Sequence, residues 1–142
     1  MKSIFIKGPI TAAFIANSIS KHQVKHNIGA HNIFLGQVRA DEIDAKTVSS
    51  INFTAYEDMA NKAAHDIREN AFEKFDLSCL HIYHSLGDVK VGEVCLFVFV
   101  SAPHSPEVYA ATEYLVKSVK KEVPIFGTEI FEDSTYQWKV NK

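Results

Sequence analysis

The sequence of 142 residues lacks the features that mark membrane, secreted and nucleic-acid-binding proteins. Its longest uninterrupted apolar run, residues 94–100, is far too short to span a bilayer, and the start, MKSIFIKGPI, contains no apolar stretch long enough for a signal peptide. With 15 basic and 17 acidic residues the net charge is -2, so no general cationic field is present to hold nucleic acid or an anionic membrane. We therefore expect a soluble, cytoplasmic protein that binds neither, although this charge is compatible with a local cationic pocket.

Cysteine is scarce, and the spacing of the histidines is poor for a metal site. Cys79 and Cys95 stand in apolar, strand-like runs without C-x-x-C spacing, which predicts free buried thiols. Of seven histidines, only His22 and His26 have helical i, i+4 spacing, and histidines at a helix C-terminus more often interact with the helix dipole. G-x-G-x-x-G, P-loop, G-x-S-x-G and H-E-x-x-H motifs are also absent. The sequence therefore predicts no metal and no cofactor.

The apolar pattern predicts one α+β domain over residues 1–142, with a mixed or mostly antiparallel sheet and three helices. A hydrophobic content of 46%, with ten phenylalanines, is enough for a sizeable core. Predicted strands cover residues 3–7, 28–38, 48–56, 77–83, 93–101, roughly 125–132 and 136–140. The helices are predicted from Thr11 as cap to about residue 26, over 57–75, and from Ser105 as cap to just before Pro124. Strands outnumber helices and form hairpin-like pairs, which favours α+β over a doubly wound fold.

Four polar residues stand where an apolar element stops, and they are the candidate site residues. Arg39 follows the strand IFLGQV, in which Gly36 suggests a bulge or a close backbone approach. His104 precedes a helix N-terminus, where an anion is favoured. Lys120 and Lys121 fall in the last turn of the third helix. Each has an ordinary interpretation as a solvated side chain, and taken singly that interpretation is the more frequent one.

Five sequence blocks, taken in order, change this balance. They are GAHNIFLGQVR, FTAYEDMA, HSLGDVKVGEVCLFVFVSAPH, VKKEVPIF and the late QWK. Together they resemble the large, catalytic subunit of molybdopterin synthase over nearly the whole chain. The resemblance implies an α+β subunit that forms a homodimer and binds one small ubiquitin-like sulfur-carrier subunit at each end, giving a heterotetramer. It also implies a sulfurtransferase of molybdenum cofactor biosynthesis: the carrier's C-terminal thiocarboxylate donates sulfur to cyclic pyranopterin monophosphate, and two sulfurs form the dithiolene of molybdopterin.

Carried over residue by residue, the resemblance assigns substrate-binding roles to Arg39 and His104 and the catalytic role to Lys120. Three positions depart from the family pattern, because Ser85 and Ser105 replace arginines and Gly127 replaces a second lysine. Either Lys121 or Lys139 substitutes for that lysine, or the activity is weaker or altered. A cluster of Arg39, His104 and Lys120 would neutralise the thiocarboxylate and the cyclic phosphate. Adjacent helical residues differ by about 100°, so Lys120 is predicted to face the site, and Lys121 is predicted to bind substrate from its rim.

Two other classes of function remain open from the sequence. The missing arginines and Gly127 are compatible with a non-catalytic binding or scaffold protein descended from the synthase. A lysine close to a proline turn is compatible with an unrelated lysine-dependent Schiff-base enzyme.

The sequence also bears on assembly, because the run VCLFVFVSA is apolar on both faces of its strand. We therefore expect a homodimer in which the partner covers one face of the sheet.

Overall fold

A computed structural model describes residues 2–140 of the chain. Its three helices are α1 (Ala12–His22), α2 (Glu57–Lys74) and α3 (Ser105–Glu122). The strands are β1 (Phe5–Lys7), β2 (Ala30–Gln37), β3 (Glu42–Ile43), β4 (Lys46–Ala55), β5 (Cys79–Lys90), β6 (Val94–Ala102), β7 (Ile125–Phe131) and β8 (Tyr136–Trp138). This arrangement confirms the predicted α+β class. No helix in the described part of the chain is long and apolar enough to cross a membrane.

The strands form one sheet in the order β2-β6-β5-β4-β7-β8, with β1 beside β5 and β3 beside β4. Only the pairing of β1 with β5 is parallel, and the other pairs are antiparallel. β5 is the central strand, because it pairs with β6 first, then with β1, and finally with β4. The hairpin of β7 and β8 forms one edge of the sheet, immediately after α3 in the chain.

Helices cover both faces of the sheet, so one part of the sequence-based reasoning was wrong. α2 and α3 pack on one face against a core that includes Leu80, Val98 and Val100. α1 packs on the other face, where Phe14 and Ile19 are among the residues beside Phe97 and Phe99. The stretch of β6 from residue 96 to 102 is consequently only 0–5% exposed within a single chain. The apolar pattern of this strand therefore gives no reason to expect a partner, and a homodimer needs other support.

Most predicted element boundaries lie within a few residues of those observed, but β5 is longer than predicted. The segment SLGDVKVG predicts a turn because it contains two glycines and an aspartate, whereas β5 continues into it as far as Lys90 and the turn begins at residue 91. Gly87 has φ +86° where the partner of β5 changes to β4, so the strand bends without ending. At α3 the N-cap is His104 and not Ser105, and its side chain makes no capping hydrogen bond.

Three of the seven histidines lie close together at the end of α1, around Phe99, in a group that the sequence spacing did not reveal. His22 at the end of α1 and His81 on β5 place their Nε2 atoms 2.9 Å apart. The Nδ1–H of His22 donates to the carbonyl oxygen of Ser18, and Nδ1 of His31 lies 2.7 Å from the Ser101 hydroxyl. Burial, reinforced by the charge of His22, lowers the pKa of His81 to about 4 and also lowers the pKa of His31. No group of three metal-ligating side chains is found among residues 2–140.

We predict that this group makes the fold sensitive to acid. Unfolded histidines bind protons near pH 6.5, whereas folded His81 resists protonation until about pH 4. The unfolded state therefore takes up more protons in this window, and the free energy of unfolding falls as the pH drops through it. Urea unfolding at pH 7 and pH 5 should show a loss of about 1–2 kcal/mol, after allowance for solvent screening. His81→Gln should flatten this dependence and the exposed control His65→Gln should not; an unchanged slope in His81→Gln would contradict the assignment.

Candidate active site

A cavity of about 450 Å³ lies between the C-terminal end of α3 and the β7–β8 hairpin. Its lining residues are Lys120, Lys121, Glu122, Val123, Pro124, Ile125, Phe126, Gly127, Trp138 and Lys139. Three lysines and one glutamate line it, so this cavity carries a positive charge although the whole chain is slightly acidic. A cavity with apolar walls and a cluster of cations is suited to an anionic ligand that has a flat or apolar portion.

Lys120 extends from the last turn of α3 toward the sheet. Its Nζ atom lies 5.9 Å from the centre of the Phe34 ring on β2, a cation–π contact at the usual outer distance. Phe34 packs against the core beneath α3, so the ring beside Lys120 is held in place by the core. Lys121 also lines the cavity. The two lysines differ in direction, because Lys120 contacts β2 as well as the cavity.

Lys139 enters the cavity from the opposite wall, just after β8. Its backbone N–H donates to the carbonyl oxygen of Gly127 at 2.7 Å, which continues the β7–β8 ladder by one residue. Gly127 has no side chain, and a Cβ atom built there would lie 3.5 Å from the Cβ of Lys139 and 3.0 Å from Cγ2 of Ile51. The space beside Gly127 is therefore bounded by β4 and by Lys139 itself.

Two further titratable side chains lie within reach of the lysine charges. Burial raises the pKa of the Cys95 thiol, and the charges of Lys139 and Lys120 act in the opposite direction. Cys95 therefore remains a neutral thiol, which donates to the Gly36 carbonyl oxygen at 3.5 Å. Burial, together with the charge of Lys139, lowers the pKa of His84, and the Nδ1–H of its neutral ring donates to the Ser85 carbonyl oxygen. His84 is a site neighbour that spacing alone did not identify.

Exposed aromatic side chains surround the mouth of the cavity. Phe126 and Trp138 line it and are 40% and 65% exposed. Tyr56, at 63% exposed, packs edge-on against Phe126 with ring centres 5.2 Å apart. Large apolar side chains left in solvent beside a charged pocket are typical of a surface that binds another molecule.

The structure brings together only part of the predicted site. Lys120 and Lys121 line the cavity, but Arg39 and His104 do not. The Arg39 side chain is 77% exposed, lies two residues beyond β2, and pairs with Asp41 at 3.3 Å. His104 stands at the opposite end of α3 from Lys120, and 16 residues of helix separate them by about 24 Å. The predicted cluster of Arg39, His104 and Lys120 therefore does not form around this cavity within one chain.

Comparison with known proteins places this arrangement in a family. The model of the MoaE protein family matches residues 8–122, from just after β1 to the end of α3. This chain belongs to the MoaE family. The match confirms the family to which the ordered sequence blocks pointed. Residues 123–142, which include β7, β8 and Lys139, lie outside the matched segment.

Two relatives of this MoaE family member carry the same name. The molybdopterin synthase catalytic subunit of Emericella nidulans is 35% identical over 122 residues, which are 86% of this chain and 62% of the relative. The protein of the same name from Pyrococcus abyssi is 36% identical over 104 residues, 73% of this chain and 70% of the relative. The chain thus spans less than two thirds of the length of the fungal relative.

Solved structures agree with the fold. The crystal structure of molybdopterin synthase from Staphylococcus aureus superposes with a TM-score of 0.86 at 27% identity, covering 99% of both chains. A complex of subunits 1 and 2 of the molybdopterin-converting factor from Helicobacter pylori contains a chain that superposes with a TM-score of 0.80 at 19% identity. It covers 94% of this chain and 87% of that one. At 19% identity, this second likeness shows a shared fold and nothing further.

Proposed function

We propose that this protein is the catalytic subunit of a molybdopterin synthase and acts as a sulfurtransferase in molybdenum cofactor biosynthesis in the cytoplasm. The observation that carries the proposal is the cationic cavity at the end of α3, with Lys120 inside it, in a chain of the MoaE family. The sulfur donor is the C-terminal thiocarboxylate of a small ubiquitin-like carrier. The acceptor is cyclic pyranopterin monophosphate, and the product is molybdopterin with its dithiolene.

The cavity suits this chemistry because both reactants are anions. In each transfer the thiocarboxylate sulfur forms a bond to a carbon of the pterin side chain and replaces an oxygen on that carbon, which leaves as water or stays with the phosphate. Water then cleaves the bond between the sulfur and the carrier's acyl carbon. The carrier therefore ends with an ordinary carboxylate, and two transfers are needed for each product. Lys120 neutralises the phosphate and the thiocarboxylate as these approach each other, and it stabilises charge that develops on the acyl oxygen. A lysine can also exchange a proton, which an arginine cannot.

The distance between His104 and Lys120 bears on assembly. If both residues act on one substrate, about 24 Å of helix excludes a site made by one chain alone. A two-fold homodimer removes this difficulty, because it can place His104 of the partner subunit beside Lys120. We propose this dimer, with a carrier bound at each end of it as a heterotetramer. The aromatic side chains around the cavity mouth are suited to hold the carrier while its extended C-terminal tail enters.

The two other functional classes have less support. A lysine-dependent Schiff-base enzyme of another family is not favoured, because the family match covers most of the chain. A non-catalytic scaffold is consistent with Ser85, Ser105 and Gly127 at positions where the family pattern has cations. The cavity nevertheless holds three lysines, so the loss of one family lysine has not removed its positive charge.

Reconstitution with purified components tests the proposal. The chain is mixed with thiocarboxylated carrier and cyclic pyranopterin monophosphate, and the dithiolene product is measured after oxidation to a fluorescent pterin. A carrier that ends in an ordinary carboxylate serves as the matched control. We expect product only with the thiocarboxylate, at about two carriers consumed per product. Binding of the carrier and substrate without any dithiolene would instead show a scaffold.

Arg39 provides a test of the binding role proposed for it. Its guanidinium is exposed and only loosely paired with Asp41, so Arg39→Glu should leave the fold intact. The charge reversal should weaken carrier binding roughly tenfold at low ionic strength and much less at high salt, because salt screens exposed charges. Lys62→Glu makes the same charge change at an exposed position on α2 and serves as the control. Carrier affinity that is indifferent to Arg39→Glu at both salt concentrations would exclude the role.

A further inference from the structure

The cavity holds three lysines, and their directions distinguish them. Lys120 and Lys121 are neighbours on α3, whereas Lys139 comes from the strand on the opposite wall. A substrate that lies between α3 and the β7–β8 hairpin would therefore meet cations from two sides only if Lys139 takes part. Two cations on opposite sides can neutralise two anionic groups at once, which neighbours on one helical turn do poorly.

The backbone around Lys139 gives its side chain a defined direction. The hydrogen bond from its N–H to Gly127 places the two residues opposite each other on adjacent strands, with their side-chain positions on the same face. A side chain at residue 127 would start 3.5 Å from the Cβ of Lys139. Gly127 thus leaves to Lys139 the space that its own side chain would fill.

Lys139 and Lys121 differ in whether their charges affect the pKa of the neighbouring residues Cys95 and His84. Cys95 lies within the influence of both Lys139 and Lys120, and buried His84 lies within the influence of Lys139. Lys121 is not among the groups that affect either residue. The charges of Lys120 and Lys139 therefore both act on Cys95 of β6, although the two lysines come from opposite walls of the cavity.

We propose that Lys139, projecting beside the side-chain-free Gly127, is the second cation of the reaction site and acts opposite Lys120, while Lys121 belongs to the rim. This inference rests on the proposed function for its catalytic part. It assigns to a residue outside the matched family segment the role that the sequence left open between Lys121 and Lys139. It also means that a lysine introduced at position 127 would compete with Lys139 for space and crowd Ile51, so Gly127→Lys should not increase activity.

The test compares Lys139→Met with Lys121→Met, because methionine keeps an apolar stem and removes the charge. In the reconstituted reaction Lys139→Met should lower the rate of product formation by about 10²-fold, and Lys121→Met by less than about threefold. Equal thermal unfolding temperatures would show that both variants are folded, as expected for exposed side chains. Equal rates for the two variants, or a larger loss in Lys121→Met, would overturn the assignment.

A second measurement does not depend on the proposed function. Alkylation of Cys95 by anionic iodoacetate and by neutral iodoacetamide is followed by peptide mass spectrometry, and the ratio of the two rates reports the local positive potential. Lys139→Met should lower this ratio roughly threefold, and Lys121→Met should leave it unchanged. A ratio unaffected by Lys139→Met would overturn the proposed position of the charge. If the wild-type chain makes no product but this ratio changes as expected, the proposed function fails and the placement of Lys139 stands.

Discussion

Replacing Lys120 by alanine is expected to lower the rate of molybdopterin formation by about 10²- to 10³-fold and to leave the fold intact. The amine lies at the end of α3, faces the cavity, and is held over the Phe34 ring. In the proposed reaction, its removal takes away a charge that stabilises the acyl oxygen and the phosphate at the point where sulfur is transferred. The measurement is single-turnover product formation with saturating carrier, so that a loss of binding does not disguise a loss of chemistry.

The matched control for this variant is Lys117→Ala. Lys117 lies one turn earlier on the same helix, its side chain is 75% exposed, and it pairs with Glu113. This substitution changes the net charge and the helix propensity in the same way as Lys120→Ala but does not affect the cavity. Turnover like that of the wild type in Lys120→Ala, at an equal unfolding temperature, would remove Lys120 from the mechanism. An equal loss in both variants would indicate damage to α3.

Mixing two inactive variants is expected to restore activity if the site is shared between two chains. His104→Ala and Lys120→Ala each damage both sites of a homodimer. In a mixed dimer, one site contains Lys120 of one chain and His104 of the other, and is intact. The two variants are co-expressed with different affinity tags, and about a quarter of the wild-type activity per chain should return. About half of the dimers are mixed, and each mixed dimer has one intact site of its two.

The control for this experiment pairs Lys120→Ala with a double variant that carries both substitutions. Such a mixture contains no Lys120, so no combination of its chains forms an intact site. Recovery in the first mixture and none in the second would establish that the roughly 24 Å of α3 is bridged by pairing of subunits. Full activity of His104→Ala by itself would remove this residue from the site, and absence of recovery would contradict a shared site.

The fold was predictable to the extent that its signals are local. Thr11 caps α1 by accepting from the Phe14 N–H, and α3 ends two residues before Pro124, both as the sequence indicates. The extension of β5 was missed because its strand state depends on pairing with β4, and Phe53 is 34 residues away from its partner Gly87. A glycine that bends a strand and a glycine that ends it look the same in a sequence.

The candidate site, like the fold, was predictable only where its signals are local in the sequence. Lys120 follows from its position in a recognisable sequence block on one helix. Lys139 was only one of two alternatives, because its relation to Gly127 exists through a hydrogen bond between two strands. The contact between His22 and His81 joins residues 59 positions apart, so neither spacing nor periodicity could predict it. Residues that act together across strands become visible only when the register of the sheet is known.

Because α1 covers one face of the sheet and α2 with α3 the other, the chain completes its core before it meets any partner. A second copy is therefore not needed to cover either face of the sheet. In the proposed heterotetramer, association can then respond to the concentrations of the chain and of its carrier. The proposed synthase would thus be assembled from subunits whose cores are already complete.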